Sequence, residues 1–289
     1  MLESLINPKR VEKGPWKMFF IGLLYASLSL ILVQAFFSGD PVLSKFSGLI
    51  VVTFCVMFSL PFMYYIIKQE EQEDEEMAGL FSAWKIHKDA IFSLLWLFLG
   101  FIIAFSVFNL ILGNPLLLNA QLETYCMINP SHGSLEACVQ MNSIGGNFVS
   151  PATGSAVNSS RFFSILENNI YVLIFTIIFS LIFGAGAIFV LAWNATVIAS
   201  AIGIFAHYRL AAIPMGVARY MIHGLPEIAA YFIAALAGGI LGVGFIRNGI
   251  NSKKFMRVLE NVIILLFIAV IILILAAVIE VYFTPLLFS

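Results

Sequence analysis

Charge is what this sequence has least of. Only 11% of its 289 residues are Asp, Glu, Lys or Arg, while 61% are hydrophobic; a soluble domain carries about 25% charged residues. A chain with so little polar surface cannot cover itself in water, and lipid is the solvent it fits. The formal net charge of −1 leaves no basic surface, which excludes nucleic acid as a partner. Catalytic signatures are also missing. A zinc protease needs two His four residues apart beside a Glu, so that one helix face offers both ligands. Here His223-Gly224-Leu225-Pro226-Glu227 holds a single His, and a distant ligand such as His207 leaves the signal weak. No Gly-x-Ser-x-Gly, phosphate loop or dinucleotide fingerprint occurs, and Ser200 before Ala201-Ile202-Gly203 is too slight a basis for an intramembrane serine enzyme. No catalytic residue, metal or cofactor is expected, and the chain reads as a non-enzyme.

What is present is a series of long apolar runs. A helix needs roughly 20 residues to cross a hydrocarbon core of about 30 Å. Met18 to Phe37, Phe46 to Ile67 (with Pro61 as a kink), Ala90 to Leu112, Asn169 to Leu191, Gly224 to Ile246 and Leu259 to Val281 all qualify. No cleavable signal peptide is expected, because the first run is too long and lacks a small-residue cleavage site. Asn194 to Tyr208 reaches only about three-quarters of the spanning length. The fold class is therefore an all-α, polytopic helical membrane protein with seven transmembrane helices, or six if Asn194–Tyr208 is re-entrant.

Between the second and third spans, Lys68 to Asp89 carries the acidic block Glu70-Glu71-Gln72-Glu73-Asp74-Glu75-Glu76. It reads as a solvated hinge, with cation or partner docking as the sharper alternative. Leu80, Phe81, Trp84 and Ile86 interleave with Lys85, His87 and Lys88, which suggests a short interfacial helix and a solvated His87. Gly113 to Asn168 is the one substantial polar loop, a partly helical cap. It holds Cys126 and Cys138, which can form a disulfide on an oxidising side, and Asn158-Ser159-Ser160, an N-glycosylation pattern. Cys55 sits in an apolar run as a packing residue.

Basic residues decide the orientation. With seven spans, Lys9, Arg10, Lys13, Lys17, Lys68, Lys85, Lys88, Arg247, Lys253, Lys254 and Arg257 share one side, and Lys45, Arg161, Arg209 and Arg219 the other: eleven against four. With a re-entrant segment the split is nine against six. The positive-inside rule prefers the first. It places the N-terminus in the cytoplasm, the cap and the C-terminus outside, and a tight Ala192-Trp193-Asn194 turn at the inner face.

Ionisable groups within such spans are expensive, so they pair, face the protein interior or line a watery cavity. Arg209, Arg219, His223, Glu227 and Glu280 all fall near the outer boundary. His223 and Glu227 lie four apart on one helix face, and Pro226 disfavours helical dihedrals before it, so a helix break near Gly224-Leu225-Pro226 is expected. The readings are a buried polar cluster that fixes helix packing, with Glu227 paired to Arg209, Arg219 or His223, or a cavity for a substrate or ion. Asn168-Asn169 and Asn194 read as caps opening two spans, or as hydrogen-bonding glue between helices. Gly184-x-Gly186 and Gly238-x-x-x-Gly242 permit close helix approach, within the chain or across a dimer face.

The order Glu167-Asn168-Asn169, Gly184-x-Gly186, Trp193-Asn194-Ala195, His223-Gly224-Leu225-Pro226-Glu227, a basic turn Arg247 to Arg257 and Ile279-Glu280-Val281-Tyr282-Phe283-Thr284-Pro285 resembles the stage II sporulation protein M family. Residues 169–289 carry that resemblance. Residues 1–112, three spans and the acidic hinge, look like the extra N-terminal spans of archaeal members, and 113–168 form the cap. In spore formers the family's namesake works with peptidoglycan-degrading partners during engulfment, as a scaffold rather than the hydrolase. The resemblance implies a non-enzymatic scaffold of an envelope or membrane-remodelling complex in the cell membrane. Its partners would be membrane lipid, other membrane or envelope proteins and, as a further option, copies of itself. The runner-up is a transporter or channel-like protein with a polar site near His223 and Glu227.

Overall fold

The computed structural model describes residues 15–74, 80–128, 134–146, 159–183, 188–249 and 251–287. Its helices are α1 (Lys17–Phe36), α2 (Ser47–Asp74), α3 (Leu80–Leu112), α4 (Asn119–Ile128), α5 (Leu135–Asn142), α6 (Ser159–Phe183), α7 (Ile188–Phe205), α8 (Ile213–Asn248) and α9 (Lys253–Val278). The chain then passes through a π-turn (Ile279–Phe283) into α10 (Thr284–Leu287). Among the described residues there is no strand, and seven helices (α1, α2, α3, α6, α7, α8 and α9) are long and apolar enough to cross a membrane. The protein is a polytopic helical membrane protein.

Local chemistry sets the helix ends. Asp40 turns the chain after α1, its Oδ1 accepting from the N–H groups of Val42 and Leu43 at 2.8 Å each. Those two donors hold the exposed carboxyl below the usual carboxylate range. Ser134 and Ser252 cap α5 and α9 by accepting from Ala137 and Phe255, and Gly249, at φ 69°, ends α8 in a conformation that suits glycine. At the end of α7, His207 and Tyr208 both adopt positive φ (48° and 50°), which costs a non-glycine residue roughly 1–2 kcal/mol. The Tyr208 N–H donates to the Gly203 carbonyl at 2.9 Å, and its phenol donates to the Asn142 carbonyl at 2.9 Å. Tyr208 thereby turns α7 sharply towards α8 and ties the bundle to the cap. Burial holds its phenol above the ordinary tyrosine range.

α8 is the central helix. From Ala230 to Ala237 it is almost wholly buried, and its Phe232 ring meets Phe98 of α3 edge-on. Glycines let its neighbours come close. A Cβ on Gly238 would lie 2.6 Å from the Ile177 carbonyl oxygen, and one on Gly242 2.6 Å from that of Leu181. Gly238-x-x-x-Gly242 therefore seats α6 within the same chain. The pairings Asn169 with Glu227, Ile177 with Gly238 and Leu181 with Gly242 ascend together, so α6 and α8 run parallel. A reciprocal contact joins α1 to α3, where a Cβ on Gly22 would collide with the Leu97 carbonyl and one on Gly100 with that of Phe19.

The cap is α4 and α5 joined by a Cys126–Cys138 disulfide, with Cα atoms 5.8 Å apart and the two cysteines twelve positions apart in sequence. Asn119 Nδ2 donates to the Lys45 carbonyl at 2.6 Å and Gln121 Nε2 to the Gly48 carbonyl at 3.0 Å. Leu122, Cys126 and Cys138 pack with Ile204 of α7. Closing so short a ring contributes about 3 kcal/mol in the loop-entropy account. Cys126→Ser with Cys138→Ser is expected to lower thermal stability by that order, and reductant should shift the wild type but not the double variant. Equal melting of both with and without reductant would contradict it.

Four boundary expectations are corrected. Asn168 and Asn169 do not open a span, because α6 begins at Ser159. Asn194 and the Ala192-Trp193-Asn194 turn lie inside α7, where Asn194 Nδ2 donates to the Val190 carbonyl of its own helix at 2.7 Å. Pro226 does not break α8, which is continuous for 36 residues. Trp84 and its neighbours belong to the 33-residue α3 and not to a separate interfacial helix. The re-entrant alternative also lapses. α7 starts at Ile188, is 18 residues long, and leads into α8 running the other way, so Arg209 and Lys254 stand at opposite ends of a helix about 54 Å long. Gly184, Gly186 and Asn158 lie outside the described residues.

Candidate functional site

Helical spacing places Tyr220, His223, Glu227 and Tyr231 along one face of α8. Three other helices bring polar groups to that stripe. From α6, Asn169 Nδ2 donates to Glu227 Oε1 at 2.6 Å, with Asn169 only 6% exposed. From the end of the chain, Thr284 Oγ1 lies 3.3 Å from His223 Nδ1, and the π-turn that carries Glu280 packs against α8. From the cap, the Tyr125 phenol hydrogen-bonds Tyr220, within reach of the Arg219 charge. Burial raises the Tyr125 phenol above its ordinary range, with Arg219 acting against it. The Arg219 guanidinium lies 5.0 Å from the Phe205 ring centre, a cation–π geometry.

The π-turn gives this site its shape. Pro285 has no N–H to donate to the carbonyl four residues before it, and the preceding turn widens. Thr284 donates both its N–H and its Oγ1 hydroxyl to the Ile279 carbonyl, five residues back, the hydroxyl at 3.1 Å. Glu280 and Thr284 are thus presented together to α8.

Of the residues singled out in the sequence, the fold assembles Asn169, Arg219, His223, Glu227 and Glu280. Arg209 is exposed in the turn before α8, and Asn168 is exposed on α6. Asn194 sits eleven residues before the end of α7, about 16 Å from the site's level. The hydrogen bond observed on Glu227 comes from the Asn169 amide, not from a cation. A neutral amide satisfies a membrane-edge carboxyl without burying a second charge. Tyr125, Tyr220, Tyr231 and Thr284 were missed, since each is unremarkable alone. The i, i+3, i+7, i+11 polar spacing on α8 was the available signal.

At the opposite end, His87 Nδ1 and Glu70 Oε2 are 2.5 Å apart, with side chains 0% and 6% exposed. This corrects the reading of both as solvated. They are the end residues of two adjacent apolar spans, and their contact joins α2 to α3.

The family model for stage II sporulation protein M matches residues 18–285. The chain belongs to the stage II sporulation protein M family. The match takes in the front half, where the sequence motifs are least diagnostic. No curated protein and no solved structure matches the chain. Within the family range lie both polar assemblies, Glu227 with its partners and His87 with Glu70.

Proposed function

We propose that this family member is a non-enzymatic scaffold of the cell membrane, holding other membrane or envelope proteins in a complex. One observation carries the reading: the membrane-edge carboxyl of Glu227 is tied side chain to side chain to Asn169 of another helix. A group so engaged fixes the relative position of α6 and α8, which is what a docking platform needs. The N-terminus is cytoplasmic and the cap and C-terminus outside. The eleven-to-four split of basic residues supports this, as does a disulfide that suits an oxidising compartment.

A second reading, a transporter, is favoured by the π-turn that opposes Glu280 to Glu227, because such turns are frequent at functional sites. Affinity capture of the full chain from native membranes separates the two. A scaffold brings down one or more envelope proteins in near-stoichiometric amount, and Glu227→Gln leaves that recovery intact. A chain recovered alone, with an uptake or conductance in reconstituted vesicles that Glu227→Gln abolishes, would establish the transporter instead.

A further inference from the structure

Buried hydroxyls in this bundle follow a rule. Each gives its proton to a backbone carbonyl: Ser27, Ser29, Ser59, Ser93 and Thr176 to the one four residues back, Ser47 and Thr196 to the one three back, Thr284 to the one five back and Ser180 across to Ala235 of α8, the usual refuge for a hydroxyl in an apolar interior. Ser106 of α3 and Ser200 of α7 break it. Their Oγ atoms, with Asn109 Oδ1 and Gln121 Oε1, are buried polar atoms without a hydrogen-bond partner among the described residues. The four residues are 4%, 3%, 8% and 0% exposed, in that order.

They share one level of the molecule. α3 and α7 pack together and both run towards the cap. Ser106 and Asn109 lie six and three residues before Leu112, and Ser200 five before Phe205, so all sit within about 9 Å of their helix ends. Ser106 and Asn109 are on one face of α3. One turn above Ser200, Ile204 touches Leu122 of α4, whose chain neighbour Gln121 reaches the first turn of α2 at Gly48. Two hydroxyls and two amide oxygens on three helices thus stand at one level, at the cap end of the bundle, with Gln121 Oε1 beside Gly48 of α2.

From this we infer a built polar site under the cap, distinct from the Glu227 assembly, that takes small neutral hydrogen-bond donors, water being the simplest. The chemistry of the four atoms selects the class. Amide oxygens only accept and hydroxyls accept or donate, so the occupant must donate. None of the four is ionisable, so a charged occupant would enter without a counter-charge and lose its hydration. Buried water commonly makes two to four such bonds to otherwise unsatisfied groups. The inference stands apart from the scaffold reading, and either can fail alone.

X-ray hydroxyl-radical footprinting of the full chain in detergent, run in ¹⁸O-labelled water, tests it, because radicals formed from bound water mark the side chains beside it. Buried residues flanking the site (Phe105, Leu122 and Ile204) should take up ¹⁸O at least tenfold faster than Phe232 and Leu236 in the core of α8. Ser106→Ala with Ser200→Ala, two substitutions that leave the helices intact, should remove most of that excess. Labelling at Phe105 and Ile204 as slow as at Phe232 would overturn the site. Rapid labelling that survives the double substitution would overturn it too, since water would then be present without the proposed ligands.

Discussion

Replacing Glu227 by leucine is expected to lower the yield of folded protein and its melting temperature, whereas Glu227→Gln should stay close to wild type in both. The difference follows from one bond. Asn169 Nδ2 donates to Glu227 Oε1 at 2.6 Å from a site 6% exposed. A glutamine oxygen still accepts that bond, and a leucine leaves the amide with no acceptor there. Stranding a buried donor costs about 1–3 kcal/mol. Asn169→Leu should be damaging from the other side, and the Asn169→Leu, Glu227→Leu pair less so than the sum of the singles, because neither partner is then left stranded. Cys55 offers the measurement. It is fully buried and does not belong to the disulfide, so a thiol-reactive dye reports its release on heating. If all four variants melted with wild type, Glu227 would have no part in holding α6 to α8.

The larger effect is expected at the crossing of α1 and α3. Gly100→Leu and Gly22→Leu should each destabilise by 1–3 kcal/mol or more, the usual cost of overpacking, and the double variant should fail to fold. Alanine should already be harmful at both positions, although it favours a helix over glycine by about 1 kcal/mol. The reason is what the added atom meets. At Gly22 it is the Leu97 carbonyl and at Gly100 the Phe19 carbonyl, and backbone cannot swing aside as a side chain can. Gly39→Ala is the control, since nothing lies within 4 Å of a Cβ there. Equal melting of Gly39→Ala and Gly100→Ala in the Cys55 assay would show that the close approach carries no weight.

Much of this architecture was legible in the sequence, and the misses share a cause. Six apolar runs announce themselves by length, because no soluble fold needs 20 apolar residues in succession. Boundaries went astray wherever a polar or helix-breaking residue was read as punctuation. Asn169 resembles a cap only until Glu227 of another helix supplies its acceptor. Asn194 bonds back within α7, and Pro226 is carried within a continuous helix whose next turns, Ala230 to Ala237, are buried. The Gly22–Gly100 contact left no trace, since two lone glycines 78 positions apart form no motif. The His87–Glu70 pair was hidden by its acidic surroundings, which made a buried hydrogen-bonded pair look like a solvated run. The site itself was half visible: the sequence exposed its charges, but the tyrosines and the π-turn at Glu280 depend on which helix faces meet.

The account rests most heavily on α7 and α8 each crossing the membrane. Single cysteines at Arg209 and Lys254, in a Cys55→Ala background, can be challenged with a membrane-impermeant maleimide in sealed vesicles of known orientation. Arg209→Cys should label only from the side that carries the cap, and Lys254→Cys only from the opposite side. Labelling of both from one face would mean that the chain between them turns back within the bilayer, and the seven-span arrangement would fall.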